Sequence, residues 1–263
     1  MSRGAALSYR PPSSSSAPAS SSGAFSDRVA RLLNSIDCRP AECGEDREAV
    51  FRLRYQAYLR EGAISPNSTG ALSDPYDEKG NVYLFGLYID GELASSIRIH
   101  VACQQRPEFP GLEVFADLLR PELNSGKVIV DSTRFVTDKK LSQYHPGLPY
   151  VTVRLSWLAA EHFRADHLLA AVRAEHQAFY RRTFLHRVVC DPRPYPPLTK
   201  PISLMTVHYP TVADQVNGQY PFFRSTFFER RMLFGRHFPT PSPPVGCSIL
   251  ATGGRRAPTT VPA

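Results

Sequence analysis

The charged residues inside one apolar stretch give the first indication of chemistry in this sequence. Residues 128–138 read Val-Ile-Val-Asp-Ser-Thr-Arg-Phe-Val-Thr-Asp, a β-branched run typical of a buried strand, with Asp131 and Arg134 inside it. Ionised groups in a core are unfavourable unless each has a partner, so these side chains must pair, bind a ligand or line a cleft. They are three residues apart, and a bulge would turn both to one face. A structural ion pair at a strand end is the alternative.

Four more charged residues precede this strand. Arg54 lies on a predicted helix, Asp74 and Asp77 lie in a long polar loop, and Arg98 lies on a predicted strand. Taken singly, loop aspartates usually cap turns and a helix arginine is usually solvated. Their value as candidate site residues therefore depends on their spacing as a set.

The predicted elements form an α/β (α+β) arrangement that could position these residues. Helical spacing indicates helices, and short β-branched or alternating runs indicate strands. Helices are predicted at 25–36, 45–61, around 114–119, 150–163, 174–184 and 220–234, and strands at 82–89, 93–101, 128–136, 168–172, 187–190 and 202–208. The order after residue 128 requires right-handed crossovers and implies a mixed central β-sheet covered by helices on both faces. Residues 64–79 form a loop as long as those of lids and binding segments.

The first two predicted strands form a hairpin around Asp90-Gly91, and its second strand alternates. One face is expected to carry Leu93, Ile97, Ile99 and Val101, and the other Ala94, Ser96, Arg98 and His100. The second face thus combines two small residues with two polar ones. Such a face suits a cleft floor and equally a solvated sheet surface.

Length and composition are compatible with a single domain, although two small domains would also fit. The chain has 263 residues, of which 42% are hydrophobic, so it can bury a sizeable core. Residues 1–25 are rich in Ser and Pro, and residues 239–263 are rich in Pro and Gly. Both compositions predict disordered tails around one domain, 26–238.

Net charge, cysteine content and hydropathy indicate which partners and which cellular location to expect. The net charge of +7 favours an acidic partner. A nucleic acid is not expected, because no groove-reading motif is present and acids interrupt the basic residues. The five scattered cysteines suggest neither disulfides nor a metal site. No apolar run suits a membrane span or a signal peptide, so we expect a cytoplasmic protein.

The spacing of the charged set resembles that of the LuxI-type autoinducer synthases. The shared features are an arginine one helical turn before an aromatic residue, an Asp-x-x-Asp loop, an arginine in the hairpin and an acid-x-x-Arg-Phe strand, here at Arg54 and Tyr58, Asp74 and Asp77, Arg98, and Asp131 to Phe135. Runs at 148–154, 170–180, 194–200 and 220–225 are similar to the FeeM-type N-acyl amino acid synthases. Over roughly residues 45–236 the chain therefore resembles the FeeM-type branch of GNAT-like acyltransferases.

Two positions depart from the autoinducer pattern. Ile64 stands where those enzymes usually carry a tryptophan, and Asp131 stands where they usually carry a glutamate. Both departures disfavour an acyl-homoserine lactone synthase using S-adenosylmethionine, which is the alternative enzyme. They leave acyl transfer intact. A non-catalytic protein that keeps the fold to sense acyl chains or carrier proteins is a third interpretation.

The resemblance implies transfer of a long fatty acyl chain from a carrier-protein thioester to the amine of an amino acid. In this interpretation Asp131, Asp74 and Asp77 are catalytic, accepting the proton or holding the ammonium, together with Arg134. Backbone N–H groups near a bulge at residues 135–137 (Phe135, Val136, Thr137) would bind the oxyanion. Arg54 is assigned to substrate binding, and Arg98 or Arg134 would bind the acceptor carboxylate with its planar guanidinium.

The same resemblance implies an acyl donor but no permanently bound cofactor. Common acetyltransferases cradle coenzyme A with glycines after the central strand, but residues 142–150 hold one glycine and two prolines, and each proline removes an N–H. Acyl carrier protein is therefore expected over acyl-CoA as donor. Arginines on two predicted helices would dock this acidic partner, namely Arg181, Arg182, Arg230 and Arg231.

Some aromatic residues and one histidine have two interpretations. A set of aromatic residues could line an acyl tunnel, but aromatic residues in general belong more often to the core. The set comprises Trp157, Phe163, Phe179, Phe222, Phe223, Phe227 and Phe228. His176 could be a base, but a hydrogen-bonded core position is the simpler expectation.

Overall fold

The computed structural model of the chain describes residues 21–235. Residues 21–25, assigned above to a tail, form the first turns of a helix, because Phe25 packs edge-on against Tyr150 with ring centres 4.9 Å apart. The other predicted tail residues, 1–20 and 239–263, lie outside the described range, as do residues 236–238.

The centre of the molecule is a seven-stranded sheet in the order β1-β2-β3-β4-β5-β7-β6. The strands are β1 Asp37–Pro40, β2 Val82–Ile89, β3 Glu92–Ala102, β4 Ile129–Thr137, β5 His167–Val172, β6 Arg187–Val188 and β7 Ser203–His208. Neighbouring strands are antiparallel except β4 and β5, which are parallel. The mixed sheet predicted from the sequence is confirmed.

Helices cover both faces of this sheet. They are α1 Ser21–Ser35, α2 Gly44–Arg60, α3 Pro110–Val114, α4 Ala116–Asn124, α5 Lys139–Tyr144, α6 Leu148–His162, α7 Gln177–Phe184, α8 Tyr209–Gln219 and α9 Phe227–Phe234, with short 3₁₀ helices at Pro75–Glu78, Ala174–His176 and Pro221–Phe223. None of the described helices is long and apolar enough to cross a membrane.

Alternation along the central strands separates two cores. Val130 of β4 packs with Trp157 of α6 in the larger core, whereas the adjacent Ile129 packs with Leu119 of α4 in a second core. A third cluster joins Leu53 of α2 to β4. Because neighbouring strand residues point to opposite faces, α6 lies on one side of the sheet and α2, α3 and α4 lie on the other.

The hairpin has the predicted turn, but its second strand contains a bulge. Asp90 and Gly91 have positive φ angles of 50° and 84°, as a tight hairpin turn requires. Tyr88 pairs with Leu93 and Leu87 pairs with Ser95, so Ala94 has no partner. The extra residue moves Leu93 to the α2 side, where it packs near α2. The expectation that Leu93 shares a face with Ile97 is therefore wrong.

The C-terminal helix begins later than predicted. The sequence predicts one helix at 220–234, but α9 starts at Phe227, with the Thr226 hydroxyl accepting from the Glu229 N–H at 3.1 Å. The carbonyls of Phe222 and Arg224 accept instead from the guanidinium of Arg154, at 2.6 and 2.8 Å. A tertiary contact thus replaces the helical hydrogen bonds of this turn. Strand β1 and helices α5 and α8 were also not predicted.

Arg154 of the buried helix α6 binds the C-terminal segment around residues 222–229. Its side chain is buried, and besides the two carbonyls it contacts the Glu229 carboxylate through two guanidinium nitrogens. Four polar contacts satisfy a cation that would otherwise be buried without a partner.

Replacement of this arginine tests the contribution of the contact. We expect Arg154→Met to lower the free energy of unfolding by about 2–4 kcal/mol, because Glu229 and two carbonyls lose their donor. Urea denaturation measures the change. The matched variant Arg31→Met, on the exposed side of α1, should shift stability by less than about 0.5 kcal/mol. Equal shifts for both variants would contradict this role.

Candidate active site

Strand β4 carries a bulge at the predicted position. Arg134 and Phe135 together lie opposite the single residue Ile97 of β3. Arg134 has φ of 53°, in the left-handed region, a conformation that costs about 1–3 kcal/mol for a residue with a Cβ. Because the strand regains its register after this point, the bulge re-aims the side chain of Arg134 without ending the sheet.

The two parallel strands separate next to this bulge. Ser132 and Ala170 are the last pair of β4 and β5, although β4 continues to Thr137 and β5 to Val172. A cavity of about 390 Å³ fills the gap, with walls from β4, β5, α2, α7 and the start of α6. This volume lies within the usual range of small-molecule sites.

Three arginines and two aspartates form one network on the α2 side of the sheet. Arg54 donates to Asp77 at 2.8 Å, and Arg134 donates to Asp74 at 2.7 Å. Arg98 lies 2.5 Å from Asp74 and 3.1 Å from Asp77. Each aspartate therefore bridges two arginines, and the network joins α2, β3 and β4 to the loop at 64–79.

The two aspartates also fold their own loop. The Asp74 carboxylate accepts from the Tyr76 N–H at 3.0 Å, and the Asp77 carboxylate accepts from the Asp74 N–H at 2.9 Å. This capping box starts the 3₁₀ helix Pro75–Glu78. The Asp-x-x-Asp spacing thus has a local structural role besides its ion pairs.

The ion pairs keep both aspartates ionised. Burial alone would raise the pKa of Asp74, but the hydrogen bonds and charges of Arg98 and Arg134 hold it well below its usual range. The pKa of Asp77 is likewise lowered, because the charges of Arg54 and Arg98 outweigh the effect of burial. A carboxylate with a lowered pKa is a weak base, so the geometry favours a positioning role. Catalytic roles for these two residues stay a prediction.

Asp131 differs from these two aspartates in its lack of an ion pair within residues 21–235. It is fully buried, and neither carboxylate oxygen has a well-formed hydrogen bond. Burial raises its pKa to about 6, although the charge of Arg98 and the amide of Gly111 act in the opposite direction. A Cβ on Gly111 would lie 3.4 Å from Oδ2 of Asp131, so the Gly111 backbone packs directly beside this carboxylate. A carboxylate with a pKa near neutrality is a candidate general base.

Of the predicted site residues on β4, four line the cavity: Arg134, Phe135, Val136 and Thr137. Asp131 lies behind the wall, on the same strand as the lining residues Ser132 and Thr133. Arg54 and Arg98 are enclosed, with side chains at most 1% exposed. The predicted substrate contacts of Arg54 and Arg98 therefore have no support in this geometry, whereas Arg134 is placed to meet a ligand.

The basic residues predicted to dock a carrier lie in two separate places. Arg181 and Arg182 are exposed on α7, next to the lining residues of that helix. Arg230 is bonded to Glu161 at 2.9 Å, near the end of α6 that lies about 18 Å along the helix from Pro149 at the cavity. Arg231 follows on α9. The structure thus brings only the α7 pair beside the cavity.

Several lining residues were missed or misplaced by the sequence. His176 is exposed at the cavity rim and contacts Arg173 at 2.9 Å, so the expected core position is wrong. Tyr58 lines the cavity, and its ring centre lies 5.4 Å from the Arg134 guanidinium. Tyr180 also lines it. The aromatic one turn after Arg54 was a signal for Tyr58, but nothing local marked Tyr180.

Most of the aromatics assigned to tunnel or core are core. Trp157, Phe222 and Phe223 are buried in the larger core, and Phe163 packs against it. Phe179 also packs against this core, and it lines the cavity as well. The core expectation is wrong for the last two members of the set, Phe227 and Phe228, whose side chains are exposed.

A second cavity, of about 520 Å³, lies beside β1 and the start of β2. Of the predicted site residues only Asp77 reaches it, and the nearby Arg47 is bonded to Glu78 and to the Asp77 carbonyl. Although this cavity is larger, it contains neither the bulge nor the separated strands. The cavity between β4 and β5 is therefore the candidate active site.

Comparison with known families agrees with this location. A family model described as N-acyl amino acid synthase FeeM matches residues 49–208, a span that includes the charged network, the bulge and the strands around the cavity. The chain belongs to this family. As a member of the FeeM family it is an acyltransferase. A search among curated proteins finds no match.

Solved structures show the fold of this FeeM family member. The structure of FeeM, an N-acyl amino acid synthase from uncultured soil microbes, matches with a TM-score of 0.58 and 19% identity, over 71% of this chain and 97% of that chain. TofI, in a ternary complex with an inhibitor and MTA, matches with a TM-score of 0.50 and 14% identity, over 71% and 96%. The predicted GNAT-like acyltransferase fold is confirmed.

The raised pKa of Asp131 predicts an unusual pH dependence of stability. Its pKa in the folded state, about 6, exceeds its ordinary value of 3.8, so ionisation opposes folding and stability is lost as pH rises from 3.8 through 6. Relative to Asp131→Asn, the wild type should lose about 2 kcal/mol between pH 4 and pH 7.5. Urea denaturation at both pH values measures this difference. A constant difference would show that the pKa is not raised.

Proposed function

We propose that this FeeM family member transfers a long-chain fatty acyl group from an acyl carrier protein thioester to the amine of an amino acid. The observation that carries the proposal is the cavity where β4 and β5 separate, with a bulge at its edge. The amine attacks the thioester carbonyl carbon, the new C–N bond replaces the C–S bond, and the carrier thiol leaves. The amine loses one proton and the thiolate gains one.

The edge of β4 can stabilise the oxyanion. After Ser132, no strand pairs with β4 on the β5 side in the part of the chain that the structure describes. Backbone N–H groups alternate between the two sides of a strand, so some of those in 133–137 face the cavity. Donors fixed in a water-poor cleft stabilise the charge that develops on the carbonyl oxygen.

Asp131 is the proposed acceptor of the amine proton. With a pKa of about 6 it is ionised at neutral pH and able to take a proton. Asp131 does not line the cavity itself, so the proton must pass from the cavity to Asp131 along β4. Thr133, which is polar and lines the cavity, lies on this route. Asp74 and Asp77 hold the arginines in place.

The cavity wall suggests how the two substrates bind. Arg134 is the predicted arginine that lines the cavity, and its guanidinium suits the carboxylate of an amino-acid acceptor. Apolar side chains suitable for a fatty acyl chain come from several elements, namely Ala57, Phe135, Val172, Phe179, Leu198 and Ile202. A charged contact at one wall and an apolar surface elsewhere would orient an amino acid against an acyl thioester.

The start of α6 favours a carrier protein over free coenzyme A. The N–H groups of Leu148, Tyr150 and Val151 bond to nearby carbonyls at 2.9–3.2 Å, and Pro149 has none. These amides are therefore not available to a pyrophosphate. Exposed cationic side chains a few residues from the lining residues Thr137 and Tyr180 offer a surface for an acidic protein instead, from Lys139 and Lys140 on α5 and from Arg181 and Arg182 on α7.

Mass spectrometry of lipid extracts from a bacterial host expressing the chain tests the reaction. We expect new long-chain N-acyl amino acids with the wild type and at least about a hundredfold less with Asp131→Asn, because the proton acceptor is lost. Acyl lactones would instead indicate a homoserine lactone synthase. If purified wild type gives no product with acyl carrier protein and a mixture of amino acids, the proposal fails.

Charge reversal tests the carrier surface. Arg181→Glu with Arg182→Glu should raise the KM for an acyl carrier protein thioester by about tenfold or more, because two attractive charges become repulsive. The KM for an acyl N-acetylcysteamine thioester should stay unchanged, since this small donor lacks the acidic protein surface that Arg181 and Arg182 would contact. Arg120→Glu, on the exposed side of α4, is the matched control. Equal effects on both donors would contradict carrier docking.

A further inference from the structure

Helix α9 presents apolar side chains to solvent. Phe227, Phe228 and Met232 are 67%, 71% and 53% exposed, and Arg231 is exposed between them. These four residues lie within an arc of about 140° around the helix, and together they are called the α9 face. Large apolar residues grouped on a surface mark an interaction site more often than scattered ones.

The charges of α9 are sorted between its two sides. Glu229 faces inward to Arg154, and Arg230 bonds to Glu161 at 2.9 Å and to the Ser225 hydroxyl at 2.8 Å. Arg231 makes no ion pair within residues 21–235. The outward side of α9 therefore carries apolar groups and a cation. The acidic residue of the helix, Glu229, lies on the inward side and is paired with Arg154.

We infer that the α9 face docks on an anionic lipid bilayer. Phenylalanine and methionine side chains enter the boundary between headgroups and acyl chains, and arginine contacts the anionic headgroups. Arg224, exposed three residues before the helix, adds a second cation near the surface. With two turns of helix and few charges, the attachment is reversible.

The composition of the α9 face favours lipid over a protein partner. An acidic carrier protein is recognised by an array of cations, and those lie beside the cavity on α5 and α7. A second copy docked by a twofold axis would bring like charges at Arg231 near one another. None of the four residues of the α9 face lines the cavity, so a bilayer bound there leaves the cavity lining uncovered.

Co-sedimentation of the full chain with vesicles tests the inference. We expect binding to phosphatidylcholine vesicles that contain phosphatidylglycerol, weak binding without it, and loss of binding at high salt. Phe227→Gln with Phe228→Gln should lower the partition coefficient by about tenfold or more. The matched control is Val188→Gln with Val189→Gln, which replaces two residues, 38% and 41% exposed, at the end of β6 and directly after it. The single variant Met232→Gln gives a smaller loss in the same direction.

Charge variants and two further measurements complete the test. Arg231→Glu should weaken binding to anionic vesicles, while Arg120→Glu, on the opposite side of the sheet, should not. Equal losses for both charge variants, or no vesicle binding by the wild type, overturn the inference. It is also overturned if the phenylalanine variant binds vesicles normally but loses carrier binding or a dimer seen by sedimentation. Acyl transfer to a small thioester donor is measured separately, so this result is independent of the proposed function.

Discussion

Removing guanidinium groups from water is the physical constraint on which the site depends. Three arginines from three different elements are almost fully enclosed, and an unpaired buried cation is strongly unfavourable. Asp74 and Asp77 satisfy them, which fixes the loop at 64–79 against the sheet. The loop is therefore a structural part of the site, and its sequence is restricted by contacts with α2, β3 and β4 together.

This arrangement divides the carboxylates into two groups. Asp74 and Asp77 are paired and ionised, so they stabilise the fold, whereas Asp131 has no such partner and its ionisation opposes folding. A buried group held in an unfavourable state usually reflects function, since exchange for a neutral residue would be more stable. The same network that uses two aspartates leaves the third available for proton transfer.

Backbone geometry creates the place where this chemistry could occur. The bulge at Arg134 and the separation of β4 from β5 leave β4 without a partner strand on the cavity side after Ser132, within the described part of the chain. The surface near the cavity and the α9 face differ in charge and in apolar content. Cations on α5 and α7 lie a few residues from side chains that line the cavity, whereas the α9 face combines exposed aromatics with arginine and contributes none of the lining residues. Docking of a donor and attachment to lipid could therefore take place without competing.

The sequence by itself determined the features that depend on local chemistry. The Asp-Gly turn, the alternation around Arg98 and His100, the helix predicted at 45–61 and the charged set could all be read from residue types and spacing. The presence of a bulge in β4 followed from two charges placed three residues apart in a buried strand. These inferences succeeded because turns, pleats and helical faces involve residues close together in the chain.

Only the tertiary structure decided which of these residues are paired and which face the cavity. Arg134 and Asp74 are 60 positions apart in the sequence. No local pattern shows that these two residues pair with each other and that Asp131 therefore has no ion pair with Arg134. The same holds for Arg154, which delays the start of α9 by binding carbonyls about 70 positions away. It holds also for the outward position of Phe227. Burial and ion pairing depend on neighbours in space, and the fold alone determines those neighbours.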